Sequence, residues 1–276
     1  MRMVAEDLDD RKGCTIGGRD IWNLRYADDT TLIATSHDEL VKQAESLRKH
    51  SLKFGLKINP AKTHMMVINC EPQTINLDGA DVNCVDSFNY LGSIITNDNN
   101  SSVEIKKRIA VAKATTSKLV PIWKSGSISL QLKKQLIKAL VWSVVLYGSE
   151  SWTLKSSDEK RIKAFEMWAW RRLLRVSWTE HRSNDWVRHR VMVQEREGLM
   201  AQLIKRKIAK YHHWKRRSES LVLTVIEGEI EGKRKPGRMR AAWIDDIVRW
   251  TEGGLPAAQA GARRDGHGRC QRFHVD

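Results

Sequence analysis

The spacing of apolar residues changes near residue 100, and that change restricts the chain to a two-part fold with an extension. From residue 101 onward, apolar side chains recur at helical spacing, as in helices buried on one face. Val103, Ile109, Ala112 and Thr116 fall on one such stripe, with Lys and Arg opposite. Leu132, Leu136, Ile137, Leu140, Val141, Val144 and Val145 make a wider stripe, which Ser129 can cap and Gly148 can stop. Ile162, Phe165, Ala169 and Leu173 make a third, in a helix opening at Ser157, where Asp158 and Glu159 suit the positive helix start. Before residue 100 the apolar runs are short and broken by turn residues. The 276 residues suffice for two domains and an extension. The expected class is α+β: a mixed part over 1–98, an all-helical part over 99–180, and a basic, partly ordered extension over 181–276.

Within the first part, Asp20 to Ala27 reads as a strand and Thr30 to Ala34 as its antiparallel return. Asp28 and Asp29 fall at the bend, and Gly17-Gly18 marks a turn before it. Ser36 with Glu39 predicts a capping box, followed by a helix whose apolar face takes Leu40, Ala44, Leu47, Ser51 and Phe54. Gly55 stands where a helix ends. Residues 56–59 and 63–69 read as short strands around Pro60, and 85–96 as a strand-rich segment bent at Gly92.

Charge is distributed unevenly. Residues 1–100 hold 11 Lys and Arg against 15 Asp and Glu, a net of −4. Residues 101–276 hold 37 against 18, a net of +19, and ten of the 11 tryptophans. A basic, aromatic-bearing surface is the usual electrostatic footprint for nucleic acid. The longest apolar stretch, near Leu140 to Leu146, is too short to span a membrane. The first residues lack the apolar core of a signal peptide. Cys14, Cys70, Cys84 and Cys270 have neither zinc-site nor disulfide-framework spacing, so they read as free thiols in a reducing compartment.

The stretch LRYADDTTLIA, residues 24–34, asks why two carboxylates should be adjacent. A tight turn tolerates the pair, because Asp favours turns. A bound Mg²⁺ rewards it, because that ion takes carboxylate oxygens together with substrate phosphates. Context favours the second. YADD between strands, then a capped helix, then GLKINPAKTHMM, then FNYLGSII resembles the palm of a reverse transcriptase, and more narrowly that of non-long-terminal-repeat, LINE-type retrotransposons. GKRKPGRMRAAWIDDI near the end resembles the C-terminal region of their RTE-like group.

The resemblance implies a partial polymerase palm over 1–98, an antiparallel hairpin plus helix, then a helical thumb over 99–180 and a C-terminal extension. It implies RNA-directed DNA polymerisation with two Mg²⁺ ions at Asp28 and Asp29, an RNA template, a DNA primer and, in an intact enzyme, deoxynucleoside triphosphates. Lys62 would assist at the pyrophosphate leaving group. Tyr26 and Ala27 would line the floor under the primer end, and Tyr90, Leu91 and Gly92 would grip the primer strand. Lys106, Lys107 and Arg108 on the thumb, and Lys233, Arg234, Lys235 and Arg238 in the extension, would contact nucleic-acid phosphates. The basic run at 233–238 also suits nuclear import, so nucleus and cytoplasm are both expected. The family's remaining palm aspartate and its fingers precede the YADD box, so this chain is expected to be inactive alone. The alternative is a non-catalytic nucleic-acid-binding remnant of a retroelement. Asp245 and Asp246, adjacent on a helical pattern, read as surface charges.

Overall fold

The computed structural model describes residues 13–252 except 70, 72, 78, 193–196, 218–219 and 228–240. Among the described residues the N-terminal part contains four separate antiparallel hairpins: β1 (Cys14–Ile16) with β2 (Arg19–Ile21), β3 (Asn23–Tyr26) with β4 (Asp29–Leu32), β5 (Ile75–Leu77) with β6 (Ala80–Val82), and β7 (Ser87–Tyr90) with β8 (Ser93–Thr96). The expected single strand over 20–27 is therefore two strands. The chain changes partner at Trp22, between the β1–β2 ladder and the β3–β4 ladder. The return strand is shorter than expected and starts at Asp29.

Helix α1 (His37–Lys53) packs Ala44 against Met65, Ile75, Leu77 and Val82 of the β5–β6 region. Its start is a capping box displaced by one residue. Ser36 accepts from the Glu39 N–H at 3.3 Å, while the Glu39 carboxylate turns back to the Thr35 N–H and hydroxyl. Gly55, at φ 73°, follows the helix end. Phe54 proves exposed, one step past the buried Leu47 and Ser51. Residues 56–59 and 63–69 are not strands. Pro60 lacks a ladder donor, and Asn59 instead caps a short 3₁₀ turn, Pro60–Lys62. Beyond that turn Met65 makes one isolated bridge to Cys84. The β5–β6 hairpin was not expected, although Asp-Gly at 78–79 between apolar runs is its ordinary signal.

Among the described residues the regular elements of the remainder are helical: α2 (Ser101–Lys118), α3 (Val120–Lys124), α4 (Leu130–Leu136), α5 (Ser143–Val145), α6 (Ser156–Leu174), α7 (Asn184–Val191), α8 (Leu199–Lys215), α9 (Leu221–Glu227) and α10 (Trp243–Glu252). Ser129 caps α4 as expected, and α4 reaches α5 through a π-helical stretch, Ile137–Trp142. The wider π turn resets the buried face. Ile137, Val141, Trp142, Val145 and Leu146 are buried, whereas Leu132 and Leu140 are exposed. On α2 the buried positions are Ile105, Ile109, Ala112 and Thr116, and Val103 faces out. Helix α6 starts at Ser156 with Lys155 as its N-cap, one residue earlier than Ser157 suggested.

One apolar cluster joins these helices. It takes Ile105 from α2, Trp142, Phe165 and Trp170 from the middle, Val187 from α7 and Leu203 from α8, so it draws on both sides of residue 180. Helices α7 and α9 lie where the sequence pattern showed little order. Asp246 corrects a further expectation: it is buried. Its carboxylate accepts from the Leu154 N–H at 3.0 Å and pairs with Lys207, which is fully buried and also donates to the Trp152 carbonyl at 2.6 Å. Adjacent helical residues diverge, so Asp245 instead accepts from the Ala242 N–H at the start of α10.

Glu166 of α6 is buried beside the start of α8. Burial raises its pKa, opposed by hydrogen bonds from the Trp170 indole and the Leu199 backbone and by the Arg188 charge. The folded chain therefore holds this proton to higher pH than the unfolded chain. The associated stability is complete below the ordinary value of 4.5 and is lost as pH rises through the raised pKa. Glu166→Gln is expected to flatten that decline in urea unfolding across pH; an unchanged pH profile would contradict it. Trp142→Ala is expected to cost about 3–5 kcal/mol, whereas the exposed Leu140→Ala should cost under about 1 kcal/mol. The reverse order in urea unfolding would restore an unbroken α-helical register.

Candidate nucleic-acid and metal site

Two hairpin tips carry seven of the fifteen residues singled out from the sequence. In the first, Tyr26 pairs with Asp29 across a two-residue loop, Ala27-Asp28. Tyr26 is 63% exposed, and Ala27, Asp28 and Asp29 are exposed with it. The carboxylates occupy unlike positions, Asp28 in the loop and Asp29 at the first residue of β4. The hairpin rests on α1 through Trp22 and Leu32, which pack with Leu47 and Ile58. Ile58 leads into the turn that bears Lys62, tethering that turn to the same apolar patch. Lys62 itself is exposed at the turn's end, where the Asn59 side chain accepts from the Ala61 N–H at 3.0 Å.

The second tip is Tyr90-Leu91-Gly92-Ser93, joining β7 to β8. Leu91 and Gly92 have φ of 47° and 80°, the pattern of a two-residue hairpin with both central residues left-handed. The helices hold it in place. The Tyr147 hydroxyl donates to the Leu91 carbonyl at 2.8 Å, and Arg108 donates to the Gly92 carbonyl. A β-carbon at Gly92 would stand 3.4 Å from the Tyr147 hydroxyl. The buried Glu104 accepts from the Ile94 N–H at 2.8 Å and from Arg108 Nε at 2.5 Å. The Arg108 guanidinium lies 4.3 Å from the centre of the Tyr147 ring.

Backbone strain singles out the same two tips. Among the described non-glycine residues with positive φ, Arg175 and Met192 terminate helices. Asn69, Asn99 and His181 are of types that tolerate the left-handed region. Ala27, at φ 52°, and Leu91 have neither reason. Such outliers cluster at functional loops.

The remaining candidates are dispersed. Lys106 is exposed on α2, and Lys107 lies 3.9 Å from Glu104. Arg108 is turned inward as a strut. Lys233, Arg234, Lys235 and Arg238 lie outside the described residues. Sequence reasoning missed Glu104 and Tyr147. The Glu104–Arg108 spacing was visible as an i,i+4 pair, but the burial that makes it matter was not.

Mg²⁺ takes six oxygen ligands, usually one or two carboxylates completed by water and substrate phosphates. The first tip supplies two carboxylates. Among the described residues no group of three or more His, Cys, Asp or Glu side chains could hold a metal ion. Asp28 and Asp29 therefore fit part of a polymerase's metal set, and the described residues alone do not complete a two-ion site.

An acidic strand-turn-strand beside a capped helix, followed by a helical, basic part, is consistent with a reverse transcriptase domain. Residues 1–95 match the reverse transcriptase (RNA-dependent DNA polymerase) family. The chain is also 30% identical over 244 residues to a putative uncharacterized transposon-derived protein of Caenorhabditis elegans, covering 84% of this chain and 86% of the relative. This chain belongs to that transposon-derived family. No solved structure matches it.

The two tips should respond differently to mutation. Glu104→Ala removes the carboxylate that pairs with Arg108 and accepts from the Ile94 N–H, and is expected to cost about 3–5 kcal/mol. Asp28→Ala, fully at the surface, should change stability by less than about 0.5 kcal/mol. A large loss of stability from Asp28→Ala in urea unfolding would make that carboxylate structural.

Proposed function

We propose that this chain is the nucleic-acid-handling part of a non-long-terminal-repeat retrotransposon reverse transcriptase: the end of the palm, the thumb and a C-terminal extension. The observation that carries the reading is the exposed Asp28-Asp29 pair on a hairpin tip strained at Ala27. In this reading Asp28 and Asp29 are metal-facing carboxylates, Tyr26 and Ala27 underlie the primer end, and the clamped Tyr90-Leu91-Gly92 tip supports the primer strand. Mg²⁺ would supply charge neutralisation at the transferred phosphate. The chain's own contribution is to present the two carboxylates on a fixed tip and to hold the RNA template and DNA primer electrostatically. Lys62 stands ready for an anionic leaving group.

The described residues provide only two of the acidic ligands such a site needs. The chain alone is therefore expected to bind primer–template without extending it. The test is primer extension on an RNA template with Mg²⁺ and deoxynucleoside triphosphates, alongside a binding assay. Binding without product supports the reading. Product that Asp28→Ala abolishes would show a complete catalytic set in this chain. Failure to bind primer–template at low salt would overturn the reading altogether.

A further inference from the structure

Between α2 and α6 runs an open trough of about 460 Å³. Its charged lining is cationic only: Lys106 and Lys113 from α2 and Arg161 from α6. Lys106 and Lys113 are seven residues apart on one helix, roughly 10 Å along its axis. Both are exposed, and among the described residues neither has a carboxylate partner. Arg161 is anchored by a 2.8 Å ion pair to the buried Asp158. The floor is aromatic. Trp168 stacks on Phe165 with ring centres 5.9 Å apart and planes 27° apart. The Lys113 ammonium and the Arg172 guanidinium lie 5.6 and 5.4 Å from the Trp168 ring. A partly exposed indole bracketed by cations in a concave channel is therefore presented to solvent.

We propose that this trough binds single-stranded nucleic acid, with phosphates on Lys106, Lys113 and Arg161 and an unstacked base against Trp168. The shape decides between strand and duplex. A double helix is read by protein elements that enter its grooves. Here the protein surface is the concave partner, set between helices whose axes pack about 8–10 Å apart. A trough of about 460 Å³ has room for an unstacked base. The combination of a cationic track with an aromatic platform is the general means of holding unpaired bases without sequence preference. The inference deepens the proposed function, since it extends the phosphate contact expected of Lys106, and it does not depend on Asp28 or Asp29.

The test uses the full chain, a fluorescent oligothymidine and a blunt duplex of equal length, with anisotropy read at one salt concentration. Trp168→Ala is expected to weaken single-strand binding about tenfold, the loss of one stacked base, with duplex binding little changed. Trp168→Phe should restore most of the affinity. Lys113→Glu, on an exposed position, should weaken single-strand binding while circular dichroism stays unchanged. An oligonucleotide carrying 5-iodouracil should crosslink to the peptide that contains Trp168. Unchanged single-strand affinity in both Trp168→Ala and Lys113→Glu would overturn the proposal. So would an equal loss of duplex binding, or displacement of the oligonucleotide by polyglutamate of matched charge, which would mark an acidic-peptide site. Repeating the titration with an RNA–DNA hybrid keeps the two readings apart, because loss of hybrid binding alone would overturn the proposed function while the trough still binds the single strand.

Discussion

The Glu104 carboxylate is the joint on which the geometry of the second tip depends. It is buried, so it is tolerated only because the Ile94 N–H and Arg108 satisfy it. One of those partners belongs to the β7–β8 hairpin and the other to α2. A single carboxylate therefore locks a hairpin to the helical core. Arg108 extends the lock to the Gly92 carbonyl and over the Tyr147 ring, and Tyr147 reaches the Leu91 carbonyl. The left-handed backbone at Leu91 persists because these contacts over-determine it.

The first tip is built differently. Among the described residues no side chain is seen in an ion pair with Asp28 or Asp29. The hairpin is seated by Trp22 and Leu32 on Leu47, an apolar contact remote from the carboxylates. The site is thus rigid at its base and exposed at its tip, which suits residues that meet a ligand. The helical part is stitched a second time by Lys207 and Asp246, which bind α8, α10 and residues 152–154 together. Desolvation lowers the Lys207 pKa, and Asp246 opposes that shift. Arg249 adds ion pairs to Glu159 at 2.6 Å and to Asp246 at 2.9 Å. The C-terminal helices belong to the same packed body as α2 and α6.

Local chemistry was legible in the sequence, and long-range burial was not. Ser36, Gly55, Ser129 and Gly148 act through neighbours within a few residues, so their roles could be read directly. The Asp28-Asp29 turn and the bend at Gly92 were legible for the same reason. The π turn at 137–142 was not, because it breaks the fixed period on which stripe reading relies. That break turned Leu140 outward and Trp142 inward. Asp246 was misread because its partner, Lys207, lies 39 residues away. Glu104 was missed because a charged residue on a helix suggests solvent until the hairpin above it is known. Trp168 and Lys113 come together only when α2 and α6 pack side by side.

The proposed function requires the chain to hold nucleic acid through its cationic helical surface. The most direct measurement is the affinity for an RNA–DNA hybrid as a function of salt. The account predicts a linear fall of the logarithm of the binding constant with the logarithm of salt concentration, at about one unit of slope per phosphate neutralised, and a slope of several units. A flat dependence, or no binding at low salt, would contradict it.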